Sequence, residues 1–215
     1  MGPSNDRTPD RLAALRQYRQ RAAVYDWELV AFEPLRRAAI ERLQLAPGDA
    51  VLDLGCGTGL SLAALHAGSG DAGDVVGVEQ CPEMIAIARE RVRRGLWRGV
   101  RLICAPVEAA DLAAPADAAL FHFTHDILQC PAALDNVLGH LRPGARVVAT
   151  GLKWAPPGPL WALVNSFVMP AALYSVTSFA SLERPWALLE QRLGPMAVED
   201  CLCGGGYIAS AAYRP

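Results

Sequence analysis

Between Val51 and Gly59 the chain reads Val-Leu-Asp-Leu-Gly-Cys-Gly-Thr-Gly. Ala50 to Leu54 has the length and apolar character of a short buried strand. Glycines follow at Gly55, Gly57 and Gly59, with a helical pattern directly behind them from Leu60 to Ala67. Glycine at such a corner lets the backbone turn sharply and lets a ligand lie against the main chain. A strand, a glycine corner and a helix begin a crossover unit, so the chain has to build an α/β sheet whose ligands sit beyond the carboxyl ends of its strands.

The rest of the sequence continues that alternation. Strand patterns cover Val75–Val78, Val100–Cys104, Ala118–Phe123 and Arg146–Thr150. Helical patterns cover Pro82–Arg94, Pro131–Leu141 and Pro185–Leu193. Arg142-Pro143-Gly144 closes the helix before the fifth strand. Two last strands, Ala197–Leu202 and Tyr207–Ala212, flank Gly204-Gly205-Gly206 with no helix between them, and only antiparallel pairing fits so short a link. The expected fold is α/β: a Rossmann-like doubly wound sheet of seven strands, mostly parallel, with an antiparallel last strand and helices on both faces. Ahead of it, a helix is expected from Asp10 toward Val24. A second is expected over Glu28–Leu43, where Pro34 marks either a kink or the true start.

Composition sets limits on function. Of 215 residues, 52% are hydrophobic and 20% charged, which excludes a disordered chain. Lys and Arg total 20 and Asp and Glu 22, for a net charge of -2. No basic stripe for a phosphate backbone follows from that balance, so no nucleic-acid partner is expected. The six cysteines form no Cys-x-x-Cys pair and the four histidines no His-Glu-x-x-His, so reduced thiols, no metal and a cytoplasmic location are expected. Met1 to Gln20 is polar and has no apolar signal core, which argues against export. Trp154 to Leu182 carries no charged residue, but Pro156, Pro157, Pro159 and Pro170 interrupt it. It is expected as helices packed inside the protein or over a pocket, not as a transmembrane span. A peripheral membrane contact stays open.

The ligand at the corner can be narrowed. A dinucleotide fingerprint needs a third glycine where Leu60 stands, and a phosphate loop needs a Lys followed by Ser or Thr, which is absent. Asp53, two residues before Gly55, would repel a pyrophosphate and suits a ligand with an ammonium group and no phosphate. S-adenosylmethionine is such a ligand. Glu79, at the end of the second strand, can accept hydrogen bonds from both hydroxyls of a ribose.

These segments resemble class I S-adenosylmethionine-dependent methyltransferases. Val51–Gly59 is similar to the family's first motif, and Glu79 with Pro82-Glu83-Met84 to its ribose-binding segment. Leu141-Arg142-Pro143-Gly144 is similar to the turn before its fifth strand. The likeness runs from about Tyr18 to Tyr213 and implies one methyltransferase domain over 1–215, with a helical cap over 1–46 and an apolar helical insertion over the acceptor site at 152–184. It assigns the cofactor to Asp53, Gly55, Cys56, Gly57, Thr58, Gly59, Glu79, Gln80 and Met84. Tyr18 and Tyr25 resemble the N-terminal tyrosines of the ubiquinone, menaquinone and phosphatidylethanolamine N-methyltransferase-like group, which close over the cofactor; helix packing is their other reading.

One departure follows strand three. Ala105-Pro106-Val107-Glu108 stands where relatives read Gly-Asp-Ala, which moves the adenine contact to Glu108 or to the backbone of Val107. After strand four come Phe121-His122-Phe123-Thr124-His125-Asp126. Strand alternation should point His122 and Phe123 opposite ways and leave His125 and Asp126 on a loop at the site mouth. Phe123 and Thr124 then border the cofactor. His125 is either a catalytic base or a packing group against the cofactor's methionine part. The aromatic run after strand five implies a small, largely apolar or aromatic acceptor. Methylation of protein or RNA, and a non-catalytic cofactor-binding subunit, are the alternatives. Oligomeric state is left open.

Overall fold

The computed structural model describes residues 29–113, 115–175 and 181–214. The first expected helix, Tyr18 and Tyr25 lie outside those residues. Seven strands form one sheet: β1 (Ala50–Leu54), β2 (Asp74–Glu79), β3 (Val100–Cys104), β4 (Ala116–His122), β5 (Leu141–Leu152), β6 (Ala197–Cys201) and β7 (Gly206–Ala212). Their spatial order is β3-β2-β1-β4-β5-β7-β6. β1 to β5 pair in parallel, and β7 runs antiparallel to both β5 and β6. The helices are α1 (Glu33–Arg42), α2 (Leu62–Ser69), α3 (Pro82–Gly95), α4 (His125–Leu128), α5 (Pro131–Leu138), α6 (Trp161–Ser175) and α7 (Ala187–Leu193).

Local chemistry explains several boundaries. α3 has Pro82 and Glu83 in its first turn and Arg93 and Arg94 in its last, matching the helix dipole at both ends. Pro34 marks the start of α1 and does not kink it; a 3-10 turn, Val30–Phe32, leads in. α2 begins at Leu62, two residues later than the sequence suggests. The intervening residues are used in consecutive turns, with Gly59 N–H donating to the Cys56 carbonyl at 2.8 Å and Leu62 N–H to the Gly59 carbonyl at 3.2 Å. Likewise α5 stops at Leu138, and Arg142–Gly144 lies within β5 as a bulge: Ala116 pairs with Leu141, while Ala118 pairs with Arg146. The segment after β7 holds that bulge, since Gly144 N–H donates to the Tyr213 carbonyl (2.8 Å) and Tyr213 N–H to that of Ala145 (2.7 Å).

Alternation along the strands makes two cores, one on each face of the sheet. Leu52, Leu54, Phe121 and Val147 meet α5 and α7. Val51, Leu120 and Val148 meet Leu35 and Ala39 of α1 and Leu62 and Leu65 of α2. Asp53 and His122 share the register of Val51 and Leu120, so both point to the α1 face at its carboxyl end. Arg36, buried on α1, is there as well.

Candidate functional site

At the corner after β1, Gly55, Gly57 and Gly59 all have positive φ, at 73°, 56° and 84°. The corner is tied to β2, because the N–H groups of Gly55 and Cys56 both donate to the Val78 carbonyl, at 2.8 and 2.9 Å. A Cβ on Gly55 would stand 2.5 Å from Thr124 Cγ2, so only glycine lets the corner meet the end of β4. On Gly59 it would stand 2.7 Å from Leu62 Cδ1 and 3.1 Å from Ala88 Cβ, so that glycine serves the seating of α3. The thiol of Cys56 packs toward Gly77 of β2, and burial pushes its pKa well up; this residue offers the cleft its backbone, not a reactive sulfur.

Glu79 receives Gly57 N–H on Oε2 (3.1 Å) and Cys81 N–H on Oε1 (2.7 Å). Burial raises its pKa, and these two donors together with the Gln80 N–H pull it back. A carboxylate has about four lone-pair sites, which leaves acceptor capacity that a sugar diol can use. Asp53 is 2% exposed, and its Oδ2 has no hydrogen-bond partner. Burial drives its pKa up to about 7, with the Arg36 cation opposing and the Glu79 carboxylate adding. A buried carboxylate oxygen without a donor is costly unless a ligand brings one. Together with a corner that a Cβ would fill, it fits a ligand carrying an ammonium group and a ribose.

Asp53 opens on a cleft of about 340 Å³, mouth included, lined by Leu29, Arg36, Gly55 to Thr58, Leu60, Ser61, His122 and Phe123. Phe123 corrects one expectation: its φ of 56° breaks the strand alternation, so His122 and Phe123 line the same cleft. Its N–H is held by the Thr150 carbonyl at 2.9 Å, and its ring lies 4.9 Å from that of Phe32. A second cleft, about 270 Å³, shares Phe123 with the first and is bounded by Thr124, His125, Thr150, Gly151, Leu152, Leu182 and Tyr207. His125 is not on a loop but opens α4, 7% exposed. The local sequence favours this, since His125 to Leu128 turn once before Pro131 starts α5. Thr124 Oγ1 is buried there with no hydrogen-bond partner.

Gln80, Met84, Val107 and Glu108 line neither cleft. Met84 and Val107 are buried, Glu108 is exposed, and the Val107 carbonyl accepts a hydrogen bond from Asn136 Nδ2 at 2.7 Å. Sequence reasoning passed over Arg36. Its one signal was a charge next to the apolar Leu35, Ala39, Leu43 stripe of a helix.

A doubly wound sheet with reversed β7, a glycine corner after β1 and an acidic residue ending β2 define a nucleoside-binding α/β class. The family described as a methyltransferase domain matches residues 51–144. Nocamycin O-methyltransferase of Saccharothrix syringae is 32% identical over 206 residues, covering 87% of this chain and 69% of that protein. The 2-phytyl-1,4-naphtoquinone methyltransferase of Synechococcus elongatus is 29% identical over 146 residues, 64% of this chain and 62% of its own length. Among solved structures, the N-methyltransferase NodS of Bradyrhizobium japonicum WM9 in complex with S-adenosyl-L-homocysteine superposes with a TM-score of 0.70 at 17% identity, over 94% of this chain and 99% of that one. The chain belongs to the class I S-adenosylmethionine-dependent methyltransferases; it is an enzyme, and S-adenosylmethionine is its cofactor.

Proposed function

We propose that the acceptor is a small, largely apolar or aromatic molecule of the quinone, polyketide or lipid kind. The observation that carries this is the second cleft, mostly apolar in its walls and sharing Phe123 with the Asp53 cleft. Two relatives support it, since their names carry nocamycin and a phytyl-naphthoquinone. The largely apolar segment 152–184 supports it too, by contributing Leu152 and Leu182 to the walls. In this reading residues 1–215 are one domain, with 1–46 as its cap and 152–184 lying over the acceptor. Six free cysteines support a cytoplasmic setting. Among the described residues no helix is long and apolar enough to cross a membrane.

When bound, the cofactor supplies a methyl group already activated on a sulfonium. The residues of this chain then bind and orient. Asp53 takes the ammonium, Glu79 the ribose diol, and the backbone from Gly55 to Gly59, with Cys56 and Thr58, the body of the ligand. Gln80 and Met84 go with the ribose-binding segment, Glu108 or the Val107 backbone with the adenine, and Tyr18 and Tyr25 with closure over the cofactor. Phe123 and Thr124 stand between the two ligands and align them. A ring nitrogen of His125 takes the proton where the acceptor must lose one.

The test is a transfer assay with methyl-tritiated cofactor against a hydroxynaphthoquinol, a phenolic polyketide analogue and a phosphatidylethanolamine, run beside ribosomal RNA and a mixed protein fraction. Label is expected in a solvent-extractable acceptor. Label confined to RNA or protein would refute the proposal.

A further inference from the structure

We infer that the outward face of α6 is a dimer interface, and that its occupant is the same face of a second copy of this chain.

α6 is seated by one side only. Val164 and Val168, one turn apart, fill the space beside Gly205, where a Cβ would stand 2.7 and 2.8 Å from their methyl carbons. Asn165, next to them, is tied to Ala155, whose N–H donates to Oδ1 at 2.9 Å. The helical period turns Ala162, Leu163, Ser166, Phe167, Met169 and Pro170 away from that seat, and all six are exposed. Phe167 is 70% exposed, Leu163 58% and Met169 53%. Leu160 and Trp161 at the start of the helix, and Leu202 of the link between β6 and β7, extend the patch and are each about half exposed. The one hydroxyl on the outward face, that of Ser166, donates to the Leu163 carbonyl at 2.6 Å.

A helix that faces water ordinarily carries charge on that side. No charged residue stands between Trp154 and Leu182. The six large apolar side chains leave on the order of 600 Å² in water, taking roughly 200 Å² for each whole side chain. Interfaces between identical chains are about 65% apolar, so the patch implies roughly 900 Å² per protomer and about 1,800 Å² in all, the size of a stable dimer contact.

The chemistry of the face favours a second copy. A two-fold axis sets a surface against itself, so any charge on it would meet its like, and this surface has none. α6 is about 22 Å long, enough to pair with an antiparallel copy. Ala162 and Ser166 are small and one turn apart, and they leave a groove between the Leu163 and Phe167 ridge and Met169 that a partner's ridge can enter. A lipid surface is the poorer match, because an interfacial helix carries Lys or Arg on its polar face. The cation that precedes the segment, Lys153, is buried and paired with Asp200 at 3.2 Å. Its N–H donates to the Gly205 carbonyl at 3.0 Å, directly after Leu152 of the second cleft, so a partner pressing α6 onto its seat braces that wall.

Sedimentation velocity of the full chain over the micromolar range tests this, and twice the chain mass is expected. Phe167→Glu should weaken the dimer by about a hundredfold and leave monomer with an unchanged far-ultraviolet spectrum. Mixing Phe167→Glu with Phe167→Arg should restore a mixed dimer; a mixture that stays monomeric overturns the self-pairing. Met169→Lys should repeat the loss, and it decides the matter if Phe167→Glu does not fold. An unmodified chain that is monomeric throughout overturns the inference, and its binding to phosphatidylglycerol vesicles would assign the face to lipid instead. A dimer that both substitutions leave intact lies elsewhere on the molecule and overturns the inference as well.

Discussion

Asp53 occupies an interior strand of the sheet with no donor on Oδ2, an arrangement that disfavours the ionised form. Its pKa of about 7, set by burial against the pull of Arg36 and with Glu79 adding, lies well above the 3.8 of a free aspartate. Between those values the folded protein holds a proton that the unfolded chain releases. Asp53's contribution to stability is therefore fully present at low pH and is lost as pH rises through 7. A ligand ammonium reverses the balance by favouring the carboxylate. His122 stays neutral across this range, and Asp53 is the group whose protonation the ligand ammonium directly opposes. Affinity for S-adenosylhomocysteine should fall by up to about tenfold per unit below pH 7, with proton release visible as a buffer-dependent heat. Asp53→Asn should flatten that profile. At this scale the sequence disclosed Asp53, Glu79 and the glycines, because their types and spacing are themselves the chemistry. It did not disclose that Phe123 joins His122 in the same cleft, since that depends on the left-handed backbone of Phe123, which no residue type announces.

Among elements, the corner after β1 illustrates how space and conformation act together. Gly59 and Gly144 have nearly the same φ, 84° and 86°, yet a Cβ on Gly59 would strike Leu62 and Ala88 while one on Gly144 meets nothing within 4 Å. Gly144→Ala should therefore cost only backbone strain, about 1 kcal/mol. Gly59→Val adds a clash between α2 and α3 and should cost about 3 kcal/mol or more. Urea midpoints of the two variants check the difference, and comparable shifts would contradict the packing assigned to Gly59. Element order and type were largely legible in the sequence because helix and strand periods differ. The β5 bulge was not. It is fixed by the Tyr213 backbone, some seventy residues away, and local pattern carries no sign of such a partner.

The whole molecule rests on two cores that share one sheet, with β4 contributing to both through alternate residues. Phe121, fully buried, and Leu120 beside it face opposite ways. Phe121→Ala should destabilise by about 3–5 kcal/mol, seen as a lower urea midpoint with an unchanged slope. A changed slope would mean that the two cores come apart separately. The strand order carries a consequence for biosynthesis. β7 lies between β5 and β6, and Tyr207 on it both walls the second cleft and, through its carbonyl, receives the Thr150 hydroxyl at 2.7 Å. On the ribosome β6 emerges first and has no neighbour to join until β7 follows, while β5 waits with a bare edge. A nascent chain cut before Gly206 would thus expose two unpaired edges, and β7 is the strand that seals the sheet.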